Sequence, residues 1–413
     1  MIRIVESTAA AGLLRRRAAR LSAAEEIVRP ILADVRKRGD RALLEYARRF
    51  DGLTRRSVAI PPAELDAAAK RLSPQFRRAV QTSVKNVRAF ARLQLPTAKQ
   101  IEPAPGLKLS QIVRPLESVA AYIPAGRYPL PSTVIMTVVP AQVAGVANIM
   151  LATPRAVDEI LGVASLLKVT RVFEMGGAQA IAAFAFGTKT VPRADRIVGP
   201  GNIYVAAAKK LLAGEVGIDF VAGPTEILII ASEGDPRWLA ADMLAQAEHD
   251  TAASAILLTR SKSLAAAVAA EIETQLATLP TAPTARAAID RNSAIILVRS
   301  DEEAVELSNR FAPEHLSLHD AKLLAGIRHA GSVFLGPSSP EAAGDYASGP
   351  NHVLPTSGAA RLRGGLSAAD YVKLISVQQL SPKALARLAP AITTLARAEG
   401  LEAHARSVEV RRG

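Results

Sequence analysis

Residues 171–212 read RVFEMGGAQAIAAFAFGTKTVPRADRIVGPGNIYVAAAKKLL. Two short runs rich in β-branched or aromatic residues, 171–174 and 196–198, each lead into a glycine cluster. Gly176-Gly177 opens one apolar stretch, and Gly199-Pro200-Gly201-Asn202 opens a second, 203–212, at helical spacing. Strands that turn tightly into helices and return as strands are βαβ units, whose strands lie parallel. The same alternation extends outward. Strand-like runs at 118–123 and 149–152 precede the stretch, and an amphipathic run at 157–167 follows them. A second series lies at 226–231, 255–259, 294–299 and 332–335. Two successive α/β blocks are therefore expected.

The flanks read differently. Residues 1 to about 95 are mostly helical in pattern. Ser22-Ala23-Ala24-Glu25 has the form of a capping box, with Ile27, Ile31 and Val35 behind it. Another helix is expected after Ser73-Pro74, through Phe76, Val80, Val84 and Val87. The last thirty-odd residues return to helix in two pieces, 383–388 and 391–397, parted by Pro390.

The chain has 413 residues, 49% of them apolar, which is ample for burial and more than one core usually serves. It has no cysteine. That excludes disulfides, thiolate metal sites, iron–sulfur clusters and a Cys nucleophile. The net charge of +13 raises a nucleic-acid-binding alternative. The basic clusters, such as Arg15-Arg16-Arg17, Arg36-Lys37-Arg38 and Lys209-Lys210, are scattered, and no aromatic residues stand among them as stacking platforms. Solvated helix faces account for them. The longest uncharged stretch, 128–154, is broken by Pro129, Pro131 and Pro140, so no membrane span is expected. The apolar run 9–14 leads into arginines instead of a small-residue cleavage site, so a cytoplasmic location is expected.

Two α/β blocks suggest a nucleotide, yet neither GxGxxG nor GxxxxGK[ST] is present. Both glycine clusters suit a phosphate or ribose at a helix N-terminus, and equally suit an ordinary tight turn. The six histidines, His249, His315, His319, His329, His352 and His404, all lie in the last 165 residues. Gln246 and His249 are three apart on an expected helix and share a face. An amide oxygen and an imidazole there suit a cation, or form a surface hydrogen-bonding pair. Pro313-Glu314-His315 falls where a helix gives way to a strand beginning near Leu316, a place for general acid–base work once Pro313 breaks the regular geometry, and equally for a solvated loop pair. Residues 344–352, GDYASGPNH, read as a loop offering Asp345 as a carboxylate ligand and His352 as a contact imidazole.

These residues sit in strings that closely resemble the histidinol dehydrogenase family: YIPAGRYPLPSTVIM, GGAQAIAAFAFGT, ADRIVGPGNIYVAAAK, AGPTEILIIA, AQAEHD, APEHL, AGSVFLG and AAGDYASGPNHVLPTSG. They run in family order from about residue 20 to 408. The resemblance implies a zinc-dependent, NAD-linked enzyme oxidising L-histidinol to L-histidine through histidinal, in the last steps of histidine biosynthesis. It implies one zinc per subunit, on Gln246, His249, Asp345 and His404, and an acid–base pair, Glu314 and His315. Substrate contacts would come from Thr225, His352 and Glu399, together with His315 and the zinc ligands. NAD contacts would come from Tyr122, Gln179 and Asn202. The family commonly has Ser at Thr225 and Gly at Ala125, which keeps open a related dehydrogenase of another small hydroxy compound.

The implied fold is α/β: two incomplete Rossmann-like domains with helical N- and C-terminal extensions. Residues 1–20 would form the first extension. Residues 21–112 and 225–366 would form the substrate and zinc domain, and 113–224 the NAD domain. Residues 367–413 would be a helical tail docked on the partner of a homodimer with shared active sites. The composition fits this chemistry, since without Cys an aldehyde must be attacked by activated water. Glu314 is the natural base for that water, and His315 for the alcohol proton.

Overall fold

The computed structural model describes residues 1–13, 21–125 and 128–411. The Arg15-Arg16-Arg17 run lies outside the described residues. In chain order the strands are β1 (Arg3–Glu6), β2 (Ala59–Ile60), β3 (Lys99–Ala104), β4 (Leu107–Pro115), β5 (Ser118–Tyr122), β6 (Asn148–Thr153), β7 (Arg171–Glu174) and β8 (Arg196–Val198). They continue with β9 (Gly217–Ile218), β10 (Glu226–Ile230), β11 (Ser254–Thr259), β12 (Ala294–Leu297), β13 (His315–Leu318), β14 (Ser332–Leu335) and β15 (Val372–Leu380).

The stretch 171–212 belongs to a sheet of order β2-β7-β6-β5-β8-β9, parallel except where β2 joins β7. A second sheet, β1-β12-β11-β10-β13-β14, is parallel throughout. Numbered from β5 in one and from β10 in the other, each block has the order 3-2-1-4-5, that of a Rossmann fold without its sixth strand. The order reverses between β5 and β8 in one block and between β10 and β13 in the other. β10 reads EILII and is buried at every residue, as a strand covered on both faces must be. The helix Gly177–Phe186 is buried nearly all round, which fits a core helix.

Several sequence expectations need correction. The N-terminal segment is not purely helical, because Arg3–Glu6 pairs in register with Ala294–Leu297 and extends the second sheet. Residues 21–93 pack mainly on the block that holds the first sheet, although Asn86 also donates to the Ala347 carbonyl at 2.8 Å. Their helix Leu21–Arg38 buries Ala24, Val28, Leu32 and Val35 against the helices Gly177–Phe186 and Ile203–Leu212. Burying those three branched side chains contributes on the order of 5 kcal/mol, enough to tie the helix to the first sheet. β2 pairs with β7, and the helix Pro74–Leu93 packs on Pro131–Ala144 of the same block. Ser22 stands inside Leu21–Arg38, not ahead of it. By contrast, Ser73 does cap Pro74–Leu93, accepting from the Phe76 amide at 3.1 Å. The tail is not wholly helical. β15 pairs antiparallel with β4, and with β3 they make a third sheet. The helix Pro382–Ala398 then runs unbroken through Pro390.

Candidate active site and metal centre

The helix Asp301–Phe311 stops at Ala312, whose φ of 54° is left-handed. That cap turns the chain through Pro313, setting Glu314 just ahead of β13 and His315 at its first position. β13 lies along β10, with His315 opposite Ile227. The start of β10 therefore meets the Glu314 carboxylate. Glu314 Oε2 accepts from Thr225 Oγ1 at 2.6 Å and from the Glu226 amide at 2.9 Å. Burial pushes the Glu314 pKa up, against the opposing pull of His315. The pair thus sits at the amino ends of these strands, away from the carboxyl-end crevice that open α/β sheets usually offer ligands.

His315 is 3% exposed. Its Nδ1 lies 3.2 Å from the Glu226 carbonyl oxygen, while its Nε2 has no hydrogen-bond partner. Carboxylate oxygens of Glu341, Glu314 and Asp345 stand 3.4, 3.7 and 3.7 Å from the ring nitrogens. Burial alone would lower the pKa of His315, but these three carboxylates outweigh it and lift the value to about 10.

Glu341 and Asp345 lie four apart on the helix Glu341–Tyr346, so both reach the same side. Residues 344–346 are therefore helix, not loop. His249 follows the helix Pro236–Ala247. One donor atom each from His249, Glu341 and Asp345 falls within 4.8 Å of the others. Gln246 is fully buried, its amide lying between Thr225 Oγ1, to which Nε2 donates at 2.7 Å, and the Glu341 carboxylate. His352 sets Nδ1 2.8 Å from the Asp345 carbonyl oxygen and Nε2 3.3 Å from Thr133 Oγ1. Burial lowers its pKa, which keeps the ring neutral near pH 7. Beside His249 opens a cavity of about 680 Å³, walled by Leu130, Ser132 and Ile135 and by Glu248 and Tyr346. An apolar cleft with a few converging polar groups suits a small molecule.

A second cavity, about 630 Å³, is lined by Tyr122, Gln179 and Asn202, from the segments that follow or end β5, β7 and β8. This is the point where the strand order reverses. Tyr122 Oη accepts from the Gly177 amide at 3.2 Å. Gln179 Nε2 donates to Asp51 Oδ2 at 3.0 Å, and Asp51 also takes the Gly176 amide at 2.8 Å. Asn202 Oδ1 caps the helix Ile203–Leu212, accepting from the amides of Tyr204 and Val205 at 3.0 and 3.1 Å. Ala125 lines this cavity without a positive φ, so a methyl group there brings no backbone strain.

Thr225, Gln246, His249, Glu314, His315, Asp345 and His352 are thus gathered at one site. Tyr122, Gln179 and Asn202 are gathered at the other. Glu399 and His404 are not brought to either. Both are exposed on the C-terminal tail, and His404 is absent from the donor group that one chain assembles. Sequence reading missed Glu341, Glu226 and Asp51. Only Glu341 had a usable signal, its four-residue spacing from Asp345.

Glu226 carries a stability prediction. Burial first, and the Glu314 charge second, push its pKa from an ordinary 4.5 up to about 8. A carboxyl raised in the folded state gives stability that is fully present below the unfolded pKa and lost as pH rises through the folded one. The melting temperature should fall from pH 5 to pH 8. Glu226→Gln, which keeps an acceptor for the Ser357 amide, should recover about 1–2 kcal/mol at pH 8. Melting curves that track the wild type at every pH would refute this.

A family model described as histidinol dehydrogenase matches residues 14–412. The chain belongs to the histidinol dehydrogenase family. It is 48% identical to the histidinol dehydrogenase of Geobacter sulfurreducens over 398 residues, covering 94% of this chain and 93% of that one. To that of Methanothermobacter thermautotrophicus it is 45% identical, with 92% and 91% covered. Its fold matches the crystal structure of histidinol dehydrogenase from Elizabethkingia anophelis with a TM-score of 0.95 at 37% identity, over 99% of this chain and 98% of the other. Membership of the histidinol dehydrogenase family makes the chain an oxidoreductase of histidine biosynthesis.

Proposed function

We propose that the chain oxidises L-histidinol through histidinal to L-histidine, using two NAD in succession and one zinc ion beside the substrate. The observation that carries this is His315. Its Nδ1 is held by a carbonyl oxygen, and its buried Nε2 lacks a partner next to a ready group of metal donors. The carboxylates alone would keep this ring protonated; with a bound cation offsetting their charge, an imidazole fixed in this way would present Nε2 as a base for the alcohol proton. Glu314, raised by burial and steadied at one oxygen, is placed to take a proton from water for attack on the aldehyde.

The residues present fit both groups. An imidazole and two carboxylates suit zinc, with the Gln246 amide adjacent. Bound there, zinc would orient the substrate and offset the carboxylate charge around His315. The reversal-point cavity has the size and place of a dinucleotide site, and NAD bound in it would take the electrons of both oxidations. We place the enzyme in the cytoplasm as a homodimer, with Glu399 and His404 completing the partner's site. Among the described residues, no helix is long and apolar enough to cross a membrane.

The test is a count of NADH formed per L-histidinol consumed. About two are expected, against the one that a simple alcohol dehydrogenase gives. Chelation, or His249→Ala, should abolish turnover with the melting temperature nearly unchanged. One NADH per histidinol would sink the four-electron assignment, and full activity in metal-free protein would sink the zinc.

A further inference from the structure

A buried ion pair stands outside both cavities and takes no part in the chemistry above. Lys209, on the helix Ile203–Leu212, is 3% exposed, and Asp219 is 7% exposed. Their side chains are in direct contact. Between them they hold both backbone groups of Gly199. Lys209 Nζ donates to the Gly199 carbonyl oxygen at 3.0 Å, and the Gly199 amide donates to Asp219 Oδ2 at 2.8 Å. Asp219 Oδ1 also takes the Phe220 amide at 2.6 Å.

Gly199 has nothing of its own to fix it. Its φ is +103°, and a Cβ there would lie 2.3 Å from the Tyr122 carbonyl oxygen. Only glycine fits, and glycine leaves a turn that is free to rock unless something else grips it. The turn carries Asn202, whose side chain caps the helix and lines the 630 Å³ cavity. Its close approach to Tyr122 also sets the gap between β5 and β8, where the strand order reverses.

A buried ion pair is a weak source of net stability, since apolar residues of equal volume often serve as well. Geometry is the better account of this one. We propose that Lys209 and Asp219 are positioning residues for the cofactor, holding the 199–202 turn at the tilt that lets Asn202 and Tyr122 receive the dinucleotide. This rests on the reading of that cavity as the NAD site.

NADH binding, followed by nucleotide fluorescence, separates a positioning role from a structural one. Lys209→Met leaves Asp219 with its two backbone donors and removes the grip on the Gly199 carbonyl. The dissociation constant for NADH and the KM for NAD should rise about tenfold or more, the worth of a charge-assisted hydrogen bond. The turnover number should stay within about threefold and the KM for histidinol within about twofold, because neither site residue nor metal donor is touched. Should Lys209→Met fail to fold, the same ratio is read from Lys209→Gln, where a rise of about three- to tenfold is expected. A folded variant that binds NADH within about twofold of wild type, whatever its melting temperature, overturns the proposal. Wild type that binds no NADH would instead overturn the cofactor assignment itself, so the two failures are distinguishable.

Discussion

His315→Asn should lower the turnover of L-histidinol by about a thousandfold or more, and it should slow the alcohol and aldehyde steps alike. Each oxidation must remove a proton from oxygen, and among the histidines of the described residues His315 is the one with a buried nitrogen that lacks a hydrogen-bond partner. Asn keeps the approximate shape and can still donate to the Glu226 carbonyl, so the loss measures the missing base. Glu314→Gln should behave differently. Its Oε1 can still accept from Thr225 or from the Glu226 amide, so the fold survives. It cannot take a proton from water. Oxidation of supplied histidinal should therefore slow by about a hundredfold or more, while the first step slows by less than about tenfold. The first step is not spared entirely, because the Glu314 charge helps to raise the pKa of His315. Single-turnover measurement of each half-reaction checks both variants. Equal slowing of the two steps by Glu314→Gln would assign that residue to the proton relay of His315 and take the water away from it.

What the sequence made legible follows from where the signal is local. β7, β8, β14 and the helix Ile203–Leu212 lie where periodicity puts them, because each is a short apolar-rich run bounded by its own turn residues. The pairings that were missed join distant segments. β4 and β15 lie more than 250 residues apart, and β15 is mostly exposed, so neither burial nor spacing announces their union. The packing of residues 21–38 was hard to read for a related reason. The apolar stripe of Leu21–Arg38 declares that a partner exists without saying which sheet supplies it. Pro390 reads as a break because it forfeits one hydrogen bond, yet the helix carries on, with Thr393 Oγ1 donating to the Pro390 carbonyl at 3.3 Å. Gly344 misled in the opposite sense. It suggests a loop, but it stands in a helix because a Cβ there would lie 2.5 Å from Phe334, and that disguise hid Glu341. The candidate catalytic residues took their roles from family resemblance. Composition and spacing left Gln246–His249 and Glu314–His315 open between chemistry and ordinary surface pairs.

Equal amounts of His315→Asn and His404→Ala, each inactive alone, should regain about a quarter of wild-type activity when unfolded and refolded together. The tail motivates this. Its helices Pro382–Ala398 and Glu402–Glu409 are clamped to each other by Arg397, which reaches Glu402 and Glu409 at 2.9 and 3.0 Å. That unit leaves Leu395 and Val410 largely in water, and β15 leaves Leu374, Ile375 and Val377 exposed beside it. Apolar residues on all three elements of one segment are what a second copy of the chain would cover. Glu399 and His404 lie on the same segment, away from the donor group formed by His249, Glu341 and Asp345. If the tail crosses to a twofold partner, random pairing makes about half the dimers hybrids. In each hybrid one site carries both lesions and the other carries none, because His315 and His404 of any site then belong to different chains. That returns about one intact site in four. If each chain builds its whole site alone, every site in every hybrid keeps one lesion. Activity then stays at the level of the single variants, and the shared site is lost with it.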